Sequence, residues 1–129
     1  MRAADTNVLV RLLVRDDARQ LAAVTELLES GPVWISHVVL VEALWVLEAV
    51  YGVKRPELAA AVDQLLDHAS LGLQDPDVIA EALASFRAHP WVGFSDCIVL
   101  AIAQKAGHLP LATFDRSLAR IRGATRVPS

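Results

Sequence analysis

Read for the spacing of apolar and polar residues, the chain alternates short apolar runs with longer stretches in which apolar positions recur at helical intervals. The short runs predict strands at Met1 to Asp5, Val33 to Ile35, Leu71 to Leu73, Leu111 to Thr113, and weakly at Arg126 to Val127. Between them the helical spacing predicts helices over Val8 to Leu13, about Ala18 to Ser30, about Val38 to Tyr51, and Pro56 to His68. Gly31-Pro32 and Gly52 stand where the second and third of these should stop. Asp75-Pro76 can cap and open a fifth helix running to about Ala88, and Ser95 can cap a sixth running to Lys105 with Gly107 as its stop. Strands separated by helices imply right-handed crossovers and a mostly parallel sheet covered on both faces, an α/β fold. Sites in such sheets form beyond the carboxyl ends of the strands.

Composition narrows the picture without redirecting it. A chain of 129 residues suits one domain over residues 1–129, able to bury roughly two thirds of its unfolded surface, so a single core is expected. Hydrophobic residues make up 54% and charged residues 21%, a globular balance. No repeat, low-complexity tract or linker marks a boundary. The lone Cys97 cannot form an internal disulfide, and no Cys/His spacing suits zinc, so any metal should be held by oxygen. The start shows no signal peptide, and the longest apolar stretch is broken by Glu42 and Glu48, so a cytoplasmic protein is expected.

The net charge of −3 argues at first against a nucleic-acid partner. Its distribution weakens the objection. Residues 1–96 carry seven Lys/Arg against fourteen Asp/Glu, whereas residues 97–129 carry five against one. Bound divalent cations would also offset a cluster of carboxylates.

Four acids stand out. Asp5 closes the first apolar run where a strand should hand over to a helix, a place where it, or Asn7, could simply cap that helix. Glu42 lies in VVLVEALWVLEAV, whose only other polar residue is Glu48. A helix apolar all round is expected to be buried, and a carboxylate there needs a partner or a metal. Glu48, near the helix end, reads as solvent-facing. Asp96 opens a helix whose next seven residues are all apolar, where its plain role is a favourable interaction with the helix dipole. Asp115 follows LPLATF at a strand end, with Thr113 two residues before it. Together the four suggest one oxygen-rich cluster suited to Mg²⁺ or Mn²⁺, with hydrolysis of a phosphodiester as the fitting chemistry. Cys97 reads as a small buried hydrophobe rather than a nucleophile, since no basic residue lies near it in sequence.

The segments DTNVLVRLLVRDD, SHVVLVEALWVL, FSDCIVLAIAQKAG and LATFDR occur in the order expected of PIN-domain proteins, and over nearly its whole length the chain resembles that family, more narrowly its VapC-type toxins. The resemblance implies a three-layer α/β/α sandwich around a short parallel sheet and Mg²⁺- or Mn²⁺-dependent cleavage of RNA. It assigns Asp5 and Asp96 to the principal metal, Glu42 to positioning it, and Asp115 to completing that site or a second one. Thr6, Asn7 and Thr113 match polar positions that orient these carboxylates. A VapB-like antitoxin and a homodimer are the implied partners, and the apolar helix around Trp45 could serve either surface. Arg116, Arg120, Arg122 and Arg126 are candidates for RNA backbone contacts, with a solvated basic tail as the plain alternative. His37, the only histidine near a motif, is expected to have a surface or capping role.

Two rivals remain. A haloacid-dehalogenase-like phosphatase or a receiver could also place an Asp after its first strand. The first needs a second Asp at close spacing, where Thr6, Asn7 and Val8 stand; the second needs a middle-strand acceptor and a late Lys. The other rival keeps the fold as a catalytically silent module that binds RNA or an antitoxin.

Overall fold

The computed structural model describes residues 1–128. Its contacts cluster into two compact units, one from Met1 to Pro76 and the other from Asp77 onward.

In the first unit, β1 (Arg2–Ala3), β2 (Val33–Ile35) and β3 (Leu71–Leu73) form a parallel sheet in the order β1-β2-β3. Arg2 pairs with Val33, and Val33 in turn with Leu71. The helices between the strands are α1 (Thr6–Val14), α2 (Ala18–Glu29), α3 (His37–Ala49) and α4 (Arg55–Asp67). Each of the first three starts at a side-chain cap: Asp5 accepts from the Val8 N–H, Asp17 from Gln20, and Ser36 from Val39. The core of this unit is aliphatic, with Leu9, Val33, Ile35, Leu40, Val62 and Leu65 almost wholly removed from water.

The second unit carries α5 (Pro76–Ala88, its first residue in the other unit), α6 (Phe94–Ala106), a parallel pair β4 (Leu111–Thr113) and β5 (Ala124–Arg126), and a one-turn 3₁₀ helix at Leu118–Arg120. Phe86 of α5 meets Phe94 at the start of α6 edge to face, with ring centroids 5.5 Å apart. Gly107 ends α6 in the left-handed conformation at φ 80°, as its place after the last apolar turn predicts.

All the strand pairings among the described residues are parallel and the class is α/β, as expected. The strands fall into two sheets rather than one, since strands of two or three residues have few ladder groups to share. Several boundaries differ from expectation. Helix α1 starts at Thr6 rather than Val8, because Asp5 rather than Asn7 is its cap. Ser95 is not the cap of α6; the cap lies two residues earlier, at Gly93, and the helix begins at Phe94. The last strand is Ala124–Arg126 instead of Arg126 to Val127. No helix among the described residues is long and apolar enough to cross a membrane.

Candidate active site

In the first unit the chain leaves β1 and passes directly into α1, so Asp5 sits at the handover. Its backbone is extended, at φ −89° and ψ 178°, and its Oδ1 accepts the Val8 N–H at 3.2 Å. Capping uses one carboxylate oxygen. The next residue, Thr6, donates its hydroxyl to Glu42 Oε2 at 2.5 Å, tying the first turn of α1 to the middle of α3. A hydroxyl donating to a carboxylate fixes its orientation.

The structure corrects the argument from burial for Glu42. Helix α3 buries Leu40, Ala43, Leu44 and Leu47 and leaves Glu42 exposed, together with Val38 and Trp45. The helix is apolar all round because part of its apolar surface faces outward, and the compensation Glu42 needs is a hydroxyl and water. Glu48 is exposed, as expected. Asn7 is exposed too. His37 is not a surface or capping residue: it is partly buried, Ser36 supplies the cap, and its Nε2 is enclosed without a hydrogen-bond partner.

In the second unit Asp96 occupies the third position of α6, partly buried, and Asp115 follows the end of β4. Burial pushes the Asp96 carboxyl above the ordinary aspartate range, and the charge of Asp115 pushes it further. Asp115 is held at three points. Its N–H donates to Thr113 Oγ1 at 3.0 Å, its Oδ1 accepts from the Leu118 N–H at 2.9 Å, and its carbonyl accepts from the Ala119 N–H at 3.0 Å. Thr113 thus fixes the backbone of Asp115, and Asp115 in turn accepts from the first N–H of the 3₁₀ turn, whose cap residue is Ser117. Cys97, beside Asp96, is 1% exposed, a buried small residue as expected.

Arg116, Arg120, Arg122 and Arg126 are all exposed, and the Arg120 guanidinium lies 5.8 Å from the centre of the Trp91 ring. Two exposed aromatics of this unit, Trp91 and Phe114, did not stand out in the sequence. The signal was present for Phe114, a large apolar residue directly before a strand-end acid, where a turn residue would be ordinary.

Among the described residues no three His, Cys, Asp or Glu side chains converge as a ready ligand group. The donor chemistry nevertheless fits a hard divalent ion. Asp96 and Asp115 offer only oxygen, and the charge of Asp96 is disfavoured by burial and by its neighbour, a conflict that a bound cation relieves.

Short parallel strands handing over to helices, with carboxylates at the handover, define an α/β protein with an acidic site. Comparison with protein families sharpens this: residues 3–124 match the PIN domain, and the chain belongs to that family. PIN domains are generally divalent-metal-dependent nucleases, so the fold is one for hydrolysis of nucleic acids. No curated protein matches the chain.

Proposed function

We propose that the chain is a Mg²⁺- or Mn²⁺-dependent endoribonuclease, the VapC-type toxin of a toxin–antitoxin pair, with Asp5, Glu42, Asp96 and Asp115 as its working acids. The observation that carries the reading is Asp96, a partly buried carboxylate at the start of α6 whose charge is disfavoured by burial and by Asp115 just beyond β4. Such a cost is characteristic of groups with catalytic or binding work to do, since perturbed carboxylates cluster at functional sites. The match to the PIN domain, which spans all four acids, gives that work its class.

Asp5 and Asp96 would hold the principal metal, Glu42 would position it, and Asp115 would complete that site or a second one. A bound divalent ion supplies charge neutralisation at phosphorus and activation of water. The chain's own residues prepare for it. Thr6 keeps the Glu42 carboxylate oriented. The cap at Val8 leaves Asp5 with its second oxygen uncommitted to that bond. Asn7 is the third polar residue of this turn, and Thr113 holds the backbone from which the Asp115 carboxylate projects. Arg116, Arg120, Arg122 and Arg126 would attract the RNA backbone. Val38 and Trp45, 71% and 66% exposed on α3, support a protein partner there, a VapB-like antitoxin or a second copy. The reading places the protein in the cytoplasm with both.

The test is cleavage of RNA by the purified chain, freed of any partner. Cleavage should need Mn²⁺ or Mg²⁺, stop with chelator, leave 5′-phosphate and 3′-hydroxyl ends, and vanish in Asp96→Asn. Cyclic 2′,3′-phosphate ends would refute the metal-dependent route, and RNA binding without cleavage would identify a silent PIN-like module. Mapping ends across total cellular RNA identifies the target.

A further inference from the structure

We propose that Phe114 is the base-stacking residue of this site, its ring receiving a nucleobase of single-stranded RNA beside the Asp115 carboxylate. The inference rests on the nuclease reading above and adds to it a determinant of substrate class.

A single exposed apolar side chain is ordinary on a protein surface. Phe114 differs in how it is mounted. The chain bends at Phe114, between two residues whose backbones are both fastened. On one side Thr113 ends β4, its carbonyl accepting from the Val127 N–H at 2.8 Å and its hydroxyl accepting from the Asp115 N–H at 3.0 Å. On the other, Asp115 accepts from the Leu118 N–H through its carboxylate and from the Ala119 N–H through its carbonyl. The backbone carrying the phenyl ring is therefore held across the turn, while the ring itself is 66% exposed. A rigidly presented aromatic surface loses little conformational freedom when a partner covers it.

The surroundings select the partner. The residue next to Phe114 is one of the acids proposed for the chemistry at phosphorus, so a substrate whose phosphodiester reaches Asp115 carries a base within reach of the adjoining side chain. Cations stand close in sequence: Arg116 two residues on and exposed, and Arg120 on the 3₁₀ turn whose first N–H Asp115 accepts, its guanidinium over the half-exposed Trp91 ring. A flat apolar ring with arginines close by in sequence is a combination that suits single strands, the ring taking bases and the cations taking phosphates. Duplex RNA keeps its bases stacked on one another and offers such a ring nothing, so the geometry selects unpaired RNA.

The experiment compares wild type with Phe114→Ala, Phe114→Leu and Phe114→Tyr, using a short fluorescein-labelled single-stranded RNA and the same ribose-phosphate strand with abasic positions. Binding is read by anisotropy in chelator, and cleavage kinetics are read in Mn²⁺. Phe114→Ala and Phe114→Leu should weaken binding and raise KM roughly tenfold to a hundredfold with a smaller change in kcat, while Phe114→Tyr restores both. Abasic RNA should bind wild type and Phe114→Ala equally. Equal KM in wild type and Phe114→Ala on an RNA that wild type cleaves would overturn the proposal and leave the nuclease reading intact. Rescue by Phe114→Leu as complete as by Phe114→Tyr would also overturn it, marking the side chain as a plain apolar anchor of the kind a protein partner uses. Binding that depends on Phe114 without any cleavage would uphold stacking and defeat the nuclease reading. Absence of both binding and cleavage would defeat the two together.

Discussion

Asp5 performs a structural task that the fold displays and a chemical task that is proposed for it, and substitutions can separate them. As the cap of α1 it accepts the Val8 N–H at 3.2 Å. Asn caps as well as Asp, whereas Ala cannot cap, and the loss is worth about 1 kcal/mol. The charge at a helix start adds about 0.5 kcal/mol more. Asp5→Asn therefore loses only the charge contribution, and Asp5→Ala loses both. For a chain of 129 residues, the usual unfolding entropy per residue converts 1 kcal/mol into about 4 °C of Tm. Thermal unfolding in chelator, where no metal stabilises either protein, should thus rank wild type, then Asp5→Asn lower by about 2 °C, then Asp5→Ala lower by about 6 °C. Cleavage should follow another order. Both variants remove a ligand charge, and since even partners outside a ligand set cost about 10- to 100-fold, each should lose at least about a hundredfold in the presence of Mn²⁺. If Asp5→Asn cuts RNA at the wild-type rate, Asp5 is a cap and nothing more. If it melts with Asp5→Ala, the capping account is wrong.

Glu42→Gln keeps an oxygen to accept from Thr6 and should fold normally yet lose cleavage; Thr6→Val should lower cleavage about 10- to 100-fold by freeing Glu42, as checked by steady-state kinetics. Leu9→Ala, in the core of the first unit at 1% exposure, should cost about 2 to 5 kcal/mol in a denaturant titration. Asp96→Asn should melt higher than wild type in chelator at neutral pH, because the raised pKa of Asp96 means that ionisation opposes folding. That cost is absent below the unfolded pKa and grows as pH rises through the folded one, so the advantage of Asn should shrink to nothing on acidification. A Tm difference independent of pH contradicts it, and adding Mn²⁺ should reverse the order in favour of wild type.

Much of this was legible in the sequence because the signals were local. Pro76 opens α5 and Gly107 closes α6 through backbone preferences that need no tertiary context, and Leu71–Leu73 and Leu111–Thr113 are strands at the expected residues. Two kinds of feature were not legible. Periodicity shows that α3 is apolar on every side but not which side is covered, so Glu42 looked buried when it is exposed. The choice of Gly93 over Ser95 as the start of α6 depends on the path of the preceding loop, which the residue types do not encode. The partnership of Thr6 with Glu42 spans thirty-six positions, and no local pattern announces it.

Two of the four candidate acids share a mounting that holds them still. Asp5 caps α1 and Asp96 lies in the first turn of α6, while Asp115 accepts from the first N–H of the 3₁₀ turn that Ser117 caps. Asp5 and Asp96 are set at the start of a helix, where N–H groups lacking intrahelical partners face outward and favour negative charge. That placement partly offsets the cost of holding a charged carboxylate in the fold. For Asp96 the offset is incomplete, since burial and Asp115 still raise its pKa. Glu42, in the middle of α3, has no helix start to draw on, and it is the acid that receives a side-chain hydroxyl instead. The donor, Thr6, is the first residue of the helix that Asp5 caps. A change that frays the first turn of α1 should therefore disturb Asp5 and Glu42 together, which makes their coupling in a double-mutant cycle the sharpest measure of whether this turn is built for one site.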